Sequence, residues 1–398
     1  MLSIKENEFL RDADRWAELT DKNQAVVGFL DKCISGGYKK INQGCLYFNR
    51  DNCKGKPIGS HSIHRGEILS RLAEKGHVQG VNLRKIRDNK IEIQIYKKGI
   101  KKEASVFNGF CSEHDDSVFA PIEKDTSLKV LDKKQQALFA YRAFAKELYE
   151  TIGFYNDFIE RIENQKDVIL NAKSAIKSFY KEKPLNIDEQ EKIESVLGLI
   201  EYLTPYYIIT YRKMKEILTY NDIFKEIIYN KKYSLLETEY FIIDKEFKFT
   251  LNSMFSPVID LENNILNDEY IPEEKRNQKD DFIRFKQIFM NIYPIDGQSI
   301  ILISYLKEDK FVLKNYVKQL KKLSKNNRNQ FLKYMNVLIP LHVENLFMNT
   351  FLWEGWKEEG QKQFEKLAID TIGIESSNNI RNILKDYLNI ELKYNLFH

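Results

Sequence analysis

Apolar positions recur along this chain first at helical and then at strand-like spacing, and the changes of period mark its parts. Leu10, Trp16 and Leu19, then Val26, Val27, Leu30 and Ile34, predict two short helices within residues 4–36, closed by Gly36-Gly37. Between 41 and 124 the pattern changes. Ile68, Leu69 and Leu72 form the inner face of a short helix from His64 to Lys75, with Gly76 as its stop. Val81-Asn82-Leu83 and Ile91-Glu92-Ile93-Gln94-Ile95-Tyr96 flank a turn at Arg87–Lys90, and the second alternates with period two, which predicts a β-hairpin. From 131 to 235 the helical period returns: Leu138, Tyr141, Ala145, Leu148 and Ile152 step by threes and fours. Lys183-Pro184 interrupts it, and Asn186-Ile187-Asp188-Glu189 starts a long helix over 188–218 with a break at Pro205.

After 236, Glu239–Asp244 and Phe247–Leu251 read as strands. Phe289–Tyr293, Asp296-Gly297 and Ile300–Tyr305 give a second hairpin, because Asp-Gly supplies the left-handed residues a two-residue turn demands. Leu313, Tyr316, Val317, Leu320 and Leu323 share one helix face, with two or three further helices before the end, and the polar stretch 263–283 reads as a surface loop. The pattern predicts a mainly helical α+β protein. Its parts are N-terminal helices over 1–40, a small module over 41–125, a helical region over 126–235 and a C-terminal α+β domain with an antiparallel hairpin over 236–398.

Composition narrows the class. A chain of 398 residues, 43% hydrophobic and 30% charged, can bury a sizeable core in more than one domain. A net charge of +4 permits a nucleic-acid partner without requiring one. No apolar run approaches the ~20 residues that span a bilayer, and the charged start Met1–Trp16 lacks a signal-peptide core. The expectation is a cytoplasmic protein with no membrane partner. Its four cysteines are too few for a disulfide framework and fit reduced thiols.

Most of the chemistry-bearing residues crowd into the module: Cys45 and Cys53, then Ser60-His61-Ser62-Ile63-His64, then Phe110-Cys111-Ser112-Glu113-His114-Asp115. Structural zinc takes four thiolate or imidazole ligands at tetrahedral corners, drawn from two close pairs. A Cys-x2-His pair on a tight turn places two of them, and Cys45 and Cys53, with seven residues between, close over a hairpin or a knuckle. Cys45, Cys53, Cys111 and His114 therefore make a Cys3His set for Zn2+. Cys33 lies on an apolar helix face and reads as core, His77 as a cap or surface residue, and His342 and His398 are isolated.

This arrangement resembles the HNH (ββα-metal, treble-clef) nucleases, over residues 45–115. In their zinc-stabilised members a cysteine pair precedes a His-Ile element, a second ligand pair follows, and the next residue holds a catalytic metal. The resemblance implies that the zinc ligands are structural, that His61 is the general base activating water, and that Asp115 holds Mg2+ or Mn2+. Here Ser60 stands where that family usually has an acidic residue or a second histidine, and Asp115 stands where histidine is usual. The whole chain also resembles a group of bacterial proteins that join such a module to helical segments, here Gln135–Ala143, and are associated with antiphage defence.

Lys39, Lys40, Arg84, Lys85, Arg87, Lys97, Lys98, Lys101 and Lys102 lie near the module. They suit phosphate contacts and equally suit a hairpin edge guarded by lysines. The expected function is a metal-dependent endonuclease acting on DNA or RNA, with a protein partner from the same operon as a further expectation. The alternative is a non-catalytic zinc finger that binds nucleic acid or a protein. The C-terminal domain carries no glycine-rich phosphate loop and no nucleophile elbow.

Overall fold

Two short strands and a helix frame the cysteines. Strand β1 (Ile58–His61) is followed by a tight π-type turn over Arg65–Leu69 and a single α turn over Ser70–Leu72. Strands β2 (His77–Arg87) and β3 (Lys90–Gly99) form a long hairpin, β4 (Val106–Phe110) returns to pair with β1, and α1 (Ser112–Glu123) and α2 (Lys133–Asn164) follow. The remaining labelled elements are β5 (Leu236–Ile243), β6 (Phe249–Phe255), β7 (Ile288–Ile295), β8 (Gln298–Leu306), α3 (Lys310–Asn326), α4 (Arg328–His342), β9 (Leu346–Met348), α5 (Thr350–Gly355), α6 (Glu358–Ile369) and α7 (Ser377–Asn389). These are seen in a computed structural model, which describes residues 44–49, 53, 55–87, 90–124, 131–164, 211–267, 284–342, 345–369 and 377–398. The helices expected over 4–36, Cys33, Lys39, Lys40, the Lys183-Pro184 break and most of the loop 263–283 lie outside the described residues.

The fold class is α+β, as the pattern predicts. Seven strands form one antiparallel sheet in the order β3-β2-β9-β6-β7-β8-β5, and β1 and β4 form a separate two-stranded sheet. Strands β7 and β8 each lie between two neighbouring strands and carry nearly unbroken apolar runs: every residue of β7 is buried. They are joined at Asp296 (φ 45°) and Gly297 (φ 78°), the left-handed pair expected of Asp-Gly. A second turn of the same kind was not foreseen. Lys75 (φ 49°) and Gly76 (φ 79°) link Glu74 to His77, which exchange backbone hydrogen bonds of 2.8 and 3.0 Å. Gly76 thus turns the chain into β2, and the short helix has already ended at Leu72, with Ala73 extended. Its inner face is as predicted: Ile68, Leu69 and Leu72 are buried.

Helix α3 buries Leu313, Tyr316, Val317 and Leu320 in the core of the large sheet, where α4 adds Phe331, Met335 and Val337. The segments expected as a separate module and C-terminal domain meet in that sheet, because β2 pairs with β9 at Gln79–Met348 and Gly80–Phe347. A second, aromatic core lies under the two-stranded sheet. Phe119 stacks on Tyr141, Phe144 stacks on Phe224 at 4.5 Å, and Phe110 meets Phe119 edge-on at 5.2 Å. Such pairs add roughly 0.5–1.5 kcal/mol each beyond buried area, so they fix α1 against α2.

By contact pattern the chain divides into two units. One comprises Asn42–Tyr149, Leu218–Tyr270 and Arg284–His398, and it holds both sheets and the cysteine cluster. The other comprises Met1–Ile41, Glu150–Ile217 and Ile271–Ile283. Among the described residues no helix is long and apolar enough to cross a membrane.

Candidate metal centre

The cluster is built by a close approach of backbones. Leu46 N–H donates to Gly109 O at 2.8 Å, which lays the Cys45 segment along β4. A Cβ at Gly109 would stand 2.3 Å from the Phe107 ring and 3.2 Å from Leu46 Cδ1, so only glycine admits this contact. Strand β4 then runs straight into α1. Cys111 is the residue before the helix, extended at φ −74° and ψ 161°, and its N–H points at Cys45 Sγ, 3.4 Å away. His114 lies three residues on, in the first helical turn, so both side chains emerge on one side. Their place at the N-terminus of a 12-residue helix favours thiolates there.

His114 Nδ1 lies 3.4 Å from Cys45 Sγ, 3.5 Å from Cys53 Sγ and 3.3 Å from Cys111 Sγ. All four ligand atoms lie within 4.8 Å of one another. Tetrahedral zinc with bonds near 2.3 Å to sulfur and 2.0–2.1 Å to nitrogen places sulfur and nitrogen about 3.6 Å apart. The three separations fall within about 0.3 Å of that value, so the set is compatible with a structural zinc site. Cys45, Cys53 and Cys111 form no disulfide with one another. Burial raises the Cys45 thiol, and burial with the neighbouring sulfurs pushes Cys53 up to about 12. A dication at the centre would reverse both effects. Burial also holds His114 below the ordinary histidine value, which favours the neutral form a metal would need, and Tyr47 lies against its ring at 4.4 Å. Among the described residues this is the one group of three or more His, Cys, Asp or Glu side chains close enough to share an ion.

His61 and Asp115 occupy different positions. His61 ends β1, half-buried, and its Nε2 donates to Ile100 O at 3.0 Å. The acceptor is a carbonyl, so the proton sits on Nε2 and Nδ1 keeps the lone pair. Burial lowers its pKa, which keeps the ring neutral. Asp115, one residue beyond His114, has a buried Oδ1 that meets no hydrogen-bond donor. Burial raises its pKa, opposed by Arg142. Neither residue belongs to the ligand cluster.

Sequence reasoning missed the groups that surround them. Arg142 on α2 is paired with Glu123 at the end of α1 and lies over the Phe119 ring at 4.3 Å. The charges of this pair act on His61, His64 and Asp115 alike. No sequence signal announces the pairing, which depends on how two helices fold back. The other histidines are plain. His77 is exposed and bonds to Lys75 O at 3.0 Å, and His342 stacks on Phe255 at 5.0 Å. Lys97 pairs with Glu354, and Lys98 lies over Tyr96 and Phe347, on an edge strand. Comparison with protein-family models, with curated proteins and with solved structures finds no match.

Proposed function

We propose that residues 45–123 form a zinc-stapled, HNH-like ββα unit that hydrolyses phosphodiester bonds in nucleic acid. One observation carries this reading. Strand β1 ends on His61 and pairs with β4, which leads directly into α1, while thiols from before β1 and from the β4–α1 junction meet in one cluster. Two strands and a helix in that order are the ββα element of the family named above. The extended β2–β3 hairpin is then an insertion between its strands, contributed to the larger sheet.

The roles follow from the side chains. His61, neutral and with a free Nδ1 lone pair, accepts a proton from an attacking water. Its bond to Ile100 O fixes the ring and the tautomer. Asp115 presents an unbonded carboxylate oxygen, the donor type that suits a hard cation such as Mg2+ or Mn2+. Such a cation, when bound, supplies charge neutralisation for the departing oxyanion. The Cys3His ligands hold His61 and Asp115 in register by tying the start of β1 to the start of α1.

The test is cleavage of plasmid DNA and of RNA with Mg2+ or Mn2+. His61→Ala abolishes cleavage while zinc content and folding stay unchanged. Equal cleavage by the variant removes the reading. A second reading, of a finger that binds nucleic acid or a protein without turnover, draws on the fact that, among the described residues, Asp115 belongs to no group of three or more His, Cys, Asp or Glu side chains close enough to share an ion. It predicts zinc, binding in gel shift, and no cleavage by the wild-type protein. Antiphage defence, tied to the resemblance to that bacterial group, and an operon partner remain proposals.

A further inference from the structure

Beside the cysteine cluster, four polar side-chain atoms are shut away from solvent without a hydrogen-bond partner: Ser60 Oγ, His64 Nδ1, Asp115 Oδ1 and Arg142 Nε. They come from β1, the segment just after it, the first turn of α1 and the N-terminal third of α2. An unmade hydrogen bond on a buried group costs about 1–3 kcal/mol. Several such groups in one neighbourhood point to something that satisfies them on binding. Ser60 is 1% exposed and Arg142 2%, so bulk water does not serve them.

The four are neighbours. Asp115 and Phe119 stand one turn apart on the same face of α1, Arg142 lies over the Phe119 ring at 4.3 Å, and Ser60 lies on β1, which pairs with the strand that leads into α1, with His64 four residues on. Arg142 is held rigidly by Glu123 and by the Phe119 ring, so its unpaired N–H is preset rather than mobile. By chemistry the set is three donors and one pure acceptor: a guanidinium N–H, a hydroxyl, an imidazole nitrogen in the tautomer that carries its proton, and a carboxylate. Donors suit the non-bridging oxygens of a phosphoryl group, and the carboxylate suits a divalent cation riding on it.

We infer that Ser60, His64 and Arg142 form a phosphoryl-binding subsite completed by a divalent cation on Asp115, so that α2, outside the zinc-stapled unit, supplies part of the site. This rests on the nuclease reading for the identity of the ligand, since a phosphodiester and its cation are the substrate and metal of that reaction. It assigns His64 and Arg142 to substrate binding, with Arg142 supplied from outside the ββα unit.

The experiment counts bound Mn2+ on the full-length, zinc-loaded chain by the loss of the free-ion EPR signal, with and without inorganic phosphate. The wild type binds one Mn2+, and phosphate tightens it at least tenfold. Arg142→Met and His64→Gln keep one zinc and still bind Mn2+ but lose the tightening, whereas Asp115→Asn loses Mn2+ itself. If Arg142→Met fails to fold, His64→Gln decides the matter alone. No effect of phosphate on the wild type, or the full effect in every folded variant, overturns the subsite. The nuclease reading fails separately, if wild-type protein binds Mn2+ and phosphate in this way yet cuts neither DNA nor RNA.

Discussion

Asn345 is the residue through which the large sheet grips the segment that follows His61. It precedes β9, is nearly buried at 9% exposure, and its Nδ2 donates to Ser62 Oγ at 2.9 Å and to Asn252 O at 2.8 Å. Ser62, 2% exposed, passes the contact on by donating to Ser105 O at 3.2 Å, beside β4. Asn345→Ala removes both donors. At about 1 kcal/mol per neutral bond, and more if the Asn252 carbonyl stays dry, the loss is about 2–3 kcal/mol. That corresponds to a fall in Tm of about 3–5 °C for a unit of this size. Ser62→Ala and the double variant complete a cycle in urea denaturation, where the Ser62–Asn345 pair shows a coupling of about 1 kcal/mol. A coupling below about 0.3 kcal/mol would mean that the sheet does not hold this segment. Because Ser62 adjoins His61, any cleavage activity of Asn345→Ala falls as well, with zinc content unchanged.

Two further outcomes are expected. Gly109→Ala forces its Cβ against the Phe107 ring and Leu46. It destabilises the unit by about 1–3 kcal/mol and weakens zinc retention under chelator challenge, and wild-type retention by the variant would contradict the close approach. His342 is held by burial at about 4, against an ordinary 6.5, so above 6.5 it is neutral folded or unfolded. As pH falls below 6.5 the unfolded chain takes up a proton that the folded chain refuses, and stability is lost progressively toward pH 4. The ring keeps some solvent contact, so the loss by pH 4.5 is on the order of 2 kcal/mol. His342→Phe removes this part of the pH slope in urea denaturation, and an unchanged slope refutes the assignment.

Much of this architecture could be read from the chain before folding was considered, where local physics decides. Asp296-Gly297 is legible because two left-handed residues between apolar runs have few other uses. The face of α3 is legible because its period is long and regular. The four ligands stand out because cysteine and histidine are scarce elsewhere in the chain. What stayed hidden depends on distant partners. Strand β1 reads Ile-Gly-Ser-His and β9 reads Leu-Phe-Met, too short for any period to show, and each exists only by pairing with a remote strand. The same holds for Ser62 and Asn345, 283 residues apart, and for Glu123 and Arg142 on consecutive helices. Gly76 was misjudged for a different reason, because a left-handed glycine after a helical run ends a helix or turns a hairpin equally well.

The account stands on a single ion joining the start of β1 to the start of α1. X-ray absorption at the zinc edge, with metal content measured on the same full-length sample, tests this directly. The prediction is one zinc per chain in a shell of three sulfurs near 2.3 Å and one nitrogen near 2.0–2.1 Å, with one sulfur lost in Cys111→Ser. A protein purified without zinc, or a shell of oxygen and nitrogen alone, would contradict it.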